Sequence, residues 1–250
     1  MSQLLLLGTG SSVSDPHRTT TMIALQNERG IIAVDCGGDL VQKMLQAGLP
    51  LDRLEAIVLT HAHPDHVCSF PLVMQRLWLS GRRRSIRVIG PESALSVAKT
   101  LMSVFQLDEC DGMPRIDWQV VSRDSVGQPL GLDSWRVTVS YGEHSVESIA
   151  VRFEDPLTGS AAAYSSDTEP HDNVIALARG AAILVHEATG SGPGHSSAEE
   201  AATVAARAKV ERLLLVHLPP SHAINGASLE RARAVFADTQ LGEEGGRYPF

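Results

Sequence analysis

The 250-residue sequence predicts an α/β fold, with β-sheets inside and helices outside. Short apolar runs bounded by Gly, Pro and Asn fill the N-terminal part. Amphipathic stretches with helix start and stop residues then alternate with strand-like runs. No linker, repeat or low-complexity stretch interrupts them, so residues 1–250 are expected to form a single domain. Hydrophobic residues at 43% and charged residues at 20% suit a globular enzyme with a core of useful size.

Taken in order, residues 4–7 are four leucines and read as a buried strand, with residues 8–12 as the turn after it. Residues 20–25 and 31–34 are the next strands, joined by a hairpin turn at 27–30. A short helix over 39–47 is stopped by Gly48. The strand at 54–60 delivers the chain to His61, and 67–79 is helical. A strand at 87–89 precedes a helix over 92–104 that starts after Pro91. Residues 107–128 follow no clear period. Strands at 135–140, 146–153 and 161–165 come next, with a turn at 154–160. A helix at 174–179, a strand at 183–186, a helix at 196–210, a strand at 213–217 and a helix at 227–237 complete the pattern. Ser196 and Glu199 are spaced as the capping box of the second of these helices.

The net charge of −8 argues against general nucleic-acid binding, which relies on cations facing phosphates. One basic run, Arg82–Arg84 with Arg87, reads as a solvated helix end and turn, with an anion-facing surface as the alternative. Cys36, Cys68 and Cys110 are scattered and odd in number, so no disulfide framework is expected and a reducing cytoplasm is the natural setting. The leucine run is too short for a signal-peptide core, and no stretch approaches the roughly 20 apolar residues of a membrane span.

The strongest chemical signal is Thr60-His61-Ala62-His63-Pro64-Asp65-His66. In an extended segment His61 and His63 point the same way, and Pro64 favours that form for His63. Asp65 and His66 follow at the turn into a helix. Four potential ligands on one loop can serve two cations, and imidazole with carboxylate suits Zn²⁺, with Mn²⁺ or Fe²⁺ as alternatives. His144, Asp167 and His217 each follow a predicted strand, where α/β sites collect. Two divalent cations set against Asp65, Asp167 and a hydroxide leave a slightly positive centre, which attracts an anionic ester and makes hydroxide available near neutral pH.

The 61–66 loop resembles the signature of the metallo-β-lactamase superfamily, and the further likeness is to the tRNA 3′-processing endonucleases of the tRNase Z (ribonuclease Z) family. Leu7–Ser11, Val34–Gly38, Phe70-Pro71, Ser166–Pro170, His186–Thr189 and Gly194–Ser197 each resemble a segment of that family. The resemblance implies an αββα sandwich, two central mixed sheets flanked by helices. It implies that His61, His63 and His144 hold one metal ion, that Asp65, His66 and His217 hold a second, and that Asp167 bridges them. It further implies that Asp35 orients a ligand imidazole, that His195 is the general acid, and that Glu187 holds the His195 ring. Asp65 would also orient the attacking water, so the implied catalytic residues are Asp65, His195 and Glu187. His186 reads as a structural strand-end residue. A homodimer is expected from the resemblance alone.

The likeness has limits. The interval from His144 to Asp167 leaves no room for the flexible tRNA-gripping arm of bacterial tRNase Z. Leu218–His222 and Asp15–Thr19 lack the family's polar and basic patterns there, although Arg18 is kept. In its short interval the chain is similar to arm-less small-molecule phosphodiesterases, such as the cyclic-ribose-phosphate enzyme associated with carbon–phosphorus lyase. The function read from the sequence is therefore hydrolysis of a small anionic phosphodiester. A lactonase or thioesterase, a tRNA 3′-processing endonuclease acting on RNA, and a non-catalytic binding module are the alternatives.

Overall fold

In the computed structural model, which describes residues 2–221 and 226–250, strands β1 (Gln3–Gly8), β2 (Met22–Gln26) and β3 (Ile31–Val34) open the chain as an antiparallel meander. Asn27 closes the β2–β3 turn, its side-chain oxygen accepting the N–H groups of Arg29 and Gly30. Helix α1 (Leu40–Gln46) is capped by Asp39, and strand β4 (Leu54–Val58) follows, parallel to β3. The predicted helix over 67–79 is two pieces, α2 (Pro64–Val67) and α3 (Phe70–Leu79). Strand β5 (Ile86–Gly90) and helix α4 (Glu92–Val104) lie where expected.

The stretch at 107–128, which has no clear period, contains strand β6 (Ile116–Val120), which pairs in parallel with β5 at the sheet edge. Strands β7 (Arg136–Tyr141), β8 (Ile149–Glu154) and β9 (Ala161–Tyr164) form a second antiparallel meander. Helix α5 (Asp172–Ala178), strand β10 (Ile183–Glu187), helix α6 (Ala198–Ala208), strand β11 (Arg212–Val216) and helix α7 (Gly226–Val235) then alternate. Two short strands went unread in the sequence, β12 (Thr239–Leu241) beside β11 and β13 (Arg247–Pro249) beside β1.

The strands make two mixed sheets, β13-β1-β2-β3-β4-β5-β6 and β12-β11-β10-β9-β8-β7. Their inner faces share one apolar layer that includes Leu4, Leu6, Ile23, Val34, Val151 and Val216. The alternate residues point outward: Leu5 and Leu7 meet α1, α3 and α4, while Leu213 and Leu215 meet α5, α6 and α7. Burial on both faces explains why the strands read as unbroken apolar runs rather than alternating ones. The expected αββα layering is therefore the observed one. No helix among the described residues is long and apolar enough to cross a membrane.

Two details differ from expectation. Arg82 is buried, not solvated, and donates to the carbonyls of Leu51, Leu54, Arg84 and Ser85. It thereby ties the chain ends where β4 and β5 begin, and Arg83 and Arg87 likewise bond backbone carbonyls. The capping box of α6 is Ser197 with Glu200, one residue later than Ser196 with Glu199. The Ser196 hydroxyl is already committed, donating to the Thr168 carbonyl at 2.7 Å. Replacing Ser197 by Ala should therefore cost about 1 kcal/mol of stability. A urea midpoint equal to that of the parent protein would show that the box contributes nothing.

Candidate metal centre

The exits of β4, β7, β9, β10 and β11 all open at one end of the sandwich, away from Arg82. Parallel neighbours end on the same side, and β7, two antiparallel pairings away from β9, runs in the same direction as β9. His61 and His63 follow β4, His144 follows β7, Asp167 follows β9, Glu187 ends β10 and His217 follows β11. Two of these exits, and that of the neighbouring β3, turn through a left-handed residue that is not glycine: Ser166 (φ 55°), His217 (φ 52°) and Asp35 (φ 61°). Such backbone is uncommon outside glycine and gathers at functional sites. Gly37 supplies the space for the 61–66 loop, since a Cβ there would lie 1.7 Å from the Asp65 carbonyl oxygen.

The side chains named from the sequence come together here. His144 Nε2 lies 3.1 Å from His63 Nδ1, and His217 Nε2 lies 3.2 Å from Asp65 Oδ2 and 3.3 Å from Asp167 Oδ2. His66 Nε2 is 3.5 Å from Asp65 Oδ2 and 3.6 Å from Asp167 Oδ2, and His61 Nε2 is 3.8 Å from Asp167 Oδ2. His61, His63 and His144 form one compact donor set and Asp65, His66 and His217 another, and Asp167 joins His61 and His66 in a third. Each set brings its ligand atoms within 4.8 Å of one another.

The groups behind each ring decide which nitrogen faces inward. His66 Nδ1 donates to Asp35 Oδ2 at 2.8 Å, and His144 Nδ1 donates to the Gly194 carbonyl at 2.7 Å. The Thr60 hydroxyl donates to Asp35, so it accepts from His61 Nδ1 at 3.1 Å. The Thr189 hydroxyl donates to the His217 carbonyl, so it accepts from His217 Nδ1 at 2.6 Å. Four imidazoles therefore hold their proton on the outer nitrogen and turn a lone pair inward. Among the described residues the inner atoms His61 Nε2, His66 Nε2 and Asp167 Oδ1 are buried without any hydrogen-bond partner. Lone pairs of nitrogen and oxygen that converge in this way fit divalent cations.

The electrostatics point the same way. Burial pushes the His61 imidazole down to about 2, which keeps it neutral as a ligand must be. Burial also opposes a charge on His66, but Asp167 and Asp35 outweigh it and hold that ring well above its usual range, so without a cation its inner nitrogen takes up a proton that a bound cation would displace. Burial favours a neutral Asp167, yet the His217 and His66 rings hold it well below the usual carboxylate range. The cluster thus attracts positive charge.

His195 stands beside these donors, its ring stacked on His217 at 5.8 Å and 13° and edge-on to His144 at 5.0 Å. Its Nδ1 lies 3.0 Å from Glu187 Oε1, and that hydrogen bond raises the imidazole above its ordinary value. Glu187 is buried and also accepts the N–H groups of Thr168, Thr189 and Ser196. His186 points to the other face of β10, buried, with Nδ1 bonded to the Glu187 carbonyl. The sequence presents Thr60 and Thr189 only as members of the 60–66 and 186–189 motifs, and the structure shows them backing the His61 and His217 rings. Arg18 reaches the carbonyl of Pro219 at 3.5 Å beside the His217 exit, and His222 lies outside the described residues.

A family model described as the beta-lactamase superfamily domain matches residues 31–218. Ribonuclease Z of Methanothermobacter thermautotrophicus is 28% identical over 299 aligned positions, covering 98% of this chain and 95% of the relative. Ribonuclease Z of Mycobacterium marinum is 28% identical over 247 positions, 88% of each chain. The metallo-beta-lactamase fold protein YhfI from Bacillus subtilis superposes with a TM-score of 0.81 at 22% identity, over 99% of this chain and 98% of that one. Human tRNase Z, short form, gives 0.80 at 20% identity over 99% and 98%. A diphosphatase from the PhnP family gives 0.77 at 22% identity over 100% and 98%.

The hydrogen bond from His66 to Asp35 makes a direct prediction. Asp35→Asn should weaken Zn²⁺ binding by about 10- to 100-fold, measured by competition with a chromophoric chelator. Unchanged affinity in a folded variant would remove Asp35 from the support of the site.

Proposed function

This chain belongs to the beta-lactamase superfamily, a fold of metal-dependent hydrolases, and we propose that it hydrolyses small, nucleotide-like phosphodiesters. His61, His63 and His144 would hold one divalent cation, and Asp65, His66 and His217 a second, with Asp167 shared between them. Zn²⁺ is the first choice for these nitrogen and oxygen donors, and Mn²⁺ or Fe²⁺ suit the same set. Such cations would supply Lewis acidity toward phosphoryl oxygens and acidify a water molecule for attack near neutral pH.

The chain's own residues divide the remaining work. Asp65 faces the donor cluster with an acceptor oxygen and would orient the attacking water. His195 would hand its proton to the departing oxygen. Its Nδ1 is occupied by Glu187, which leaves Nε2 as the atom that delivers the proton. Glu187 favours the charged form of the ring and fixes its direction. The single observation that carries this reading is the His195–Glu187 pair set against the donor cluster. An acid held beside the site favours a poor leaving group such as an alkoxide over an activated ester.

Small diesters are preferred to folded RNA for two reasons. The interval between His144 and Asp167 is taken up by β8, β9 and their short turns, with no projecting arm. In the run of arginines that could have met RNA, Arg82 and Arg83 bond backbone carbonyls, and the run lies ahead of β5 at the opposite end. The ribonuclease Z relatives make tRNA 3′ processing the second reading, and the alignment of 299 positions with one of them exceeds this chain's 250 residues, so that relative carries insertions. We further read residues 1–250 as one domain and the protein as a homodimer. Three unpaired cysteines fit a reducing cytoplasm.

Purified protein supplied with Zn²⁺ or Mn²⁺ should cleave bis(p-nitrophenyl) phosphate and, more slowly, diphenyl phosphate. His195→Ala should keep its metal and lose about 100-fold in kcat on diphenyl phosphate, whose leaving group needs a proton. Faster turnover of lactones or thioesters than of either diester would overturn the reading. Efficient trimming of a precursor tRNA would replace it by the second one.

A further inference from the structure

His195 sits at the end of Gly190-Ser191-Gly192-Pro193-Gly194, a segment with little intrinsic order. Gly190 (φ 139°) and Gly194 (φ 81°) occupy backbone regions that glycine enters readily, and Pro193 has no N–H to anchor. The placement of the imidazole must therefore come from contacts made to the loop. Gly194 is held from both sides. Its carbonyl, in the peptide unit that leads into His195, accepts from His144 Nδ1 at 2.7 Å. Its N–H donates to Glu169 Oε1 at 2.8 Å. No side chain can replace hydrogen at this position, since a Cβ would lie 2.7 Å from His144 Nδ1.

Glu169 is itself anchored. Its N–H donates to the Glu143 carbonyl at 2.8 Å, and its carbonyl accepts from the Thr168 hydroxyl at 2.7 Å. That hydroxyl also accepts the Glu143 N–H at 2.9 Å. The half-buried Glu169 carboxylate thus extends from the turn that carries Asp167, is stitched to the residue before His144, and grips the residue before His195. A hydrogen bond from an N–H to a carboxylate is of the stronger, charge-assisted kind.

From this closed circuit we propose that Glu169 is a positioning residue for proton donation, setting the backbone that carries His195 while Glu187 sets the direction of its ring. The proposal rests on the reading of His195 as the acid. Glu169 makes no direct bond to a cation ligand and reaches His144 only through Gly194, so its larger effect should fall on the step that needs the acid.

The test uses the Zn²⁺-loaded full chain with Glu169→Ala, Glu169→Gln and His195→Ala, assayed on diphenyl phosphate and bis(p-nitrophenyl) phosphate. Hydrogen exchange at the Gly194 amide serves as a readout independent of turnover. Glu169→Ala should lose about 10-fold in kcat on diphenyl phosphate and stay within about twofold on the nitrophenyl diester, with KM and bound metal unchanged. The Gly194 amide should exchange about 10-fold faster, because its partner is gone. Glu169→Gln should restore most of the rate, since its amide oxygen can accept the same N–H. Equal losses on both substrates with loss of metal would mark Glu169 as merely structural and overturn the proposal. An unimpaired Glu169→Ala beside an impaired His195→Ala would overturn the positioning role alone. An undiminished His195→Ala on diphenyl phosphate would overturn the acid assignment, and the proposal with it.

Discussion

Convergent lone pairs are the constraint on which this molecule is built. His61, His66, His144 and His217 each hold a proton on the nitrogen that faces the protein and present a bare nitrogen to a common space, which Asp65 and Asp167 share. Bare donors repel one another unless positive charge sits among them. Burial removes the water that would otherwise screen the repulsion. The outer hydrogen bonds hold the rings in this unfavourable arrangement. Left-handed backbone at Asp35, Ser166 and His217 adds a further cost of order 1–3 kcal/mol each. The His217 N–H bond to the Thr21 hydroxyl and the Asp35 N–H bond to the Val58 carbonyl offset part of it. Fold stability is thus spent on aiming side chains.

The two-sheet sandwich makes that aim possible. Each sheet is antiparallel in one half and parallel in the other, and the parallel halves send successive strands out at the same end. Residues distant in sequence, such as Asp65 and His217, meet there without long loops. His61, His144, Asp167 and His217 each lie within three residues of a strand end, so short connections from rigid strands place them. The opposite end carries the buried Arg82 guanidinium, whose bonds to four carbonyls close the turns before β4 and β5.

Much of this was legible in the sequence, and the remainder was hidden for identifiable reasons. The His61–His66 loop and the polar residues at strand exits stood out because imidazole and carboxylate are rare directly after apolar runs. The capping box was read one residue early because Ser196/Glu199 and Ser197/Glu200 satisfy the same spacing; only the Thr168 carbonyl, brought from a distant strand, decides between them. Strand β6 escaped because an edge strand that is half exposed along its length shows neither a buried run nor clean alternation. Strand β13 contains Pro249, tolerated only because the strand is at the edge of its sheet. Arg82 looked like any member of a charged run, since local composition does not reveal which guanidinium finds four carbonyls. Thr189 stands three residues after His186, and its hydroxyl acquires a role only when β11 delivers His217 beside it.

Glu187 has a consequence for how any variant of it is to be interpreted. One buried carboxylate receives the main-chain amides of Thr168, Thr189 and Ser196 as well as the His195 ring, so the loop after β9 and both ends of the loop after β10 share a single fastening. Thr189 in turn backs His217, and Thr168 follows Asp167. Removing the charge would loosen the proposed cation ligands and the proposed proton donor together. A slower enzyme with Glu187 altered would therefore report the slackening of a joint, and its deficit could not be divided into chemistry and architecture by rate measurements on that variant alone.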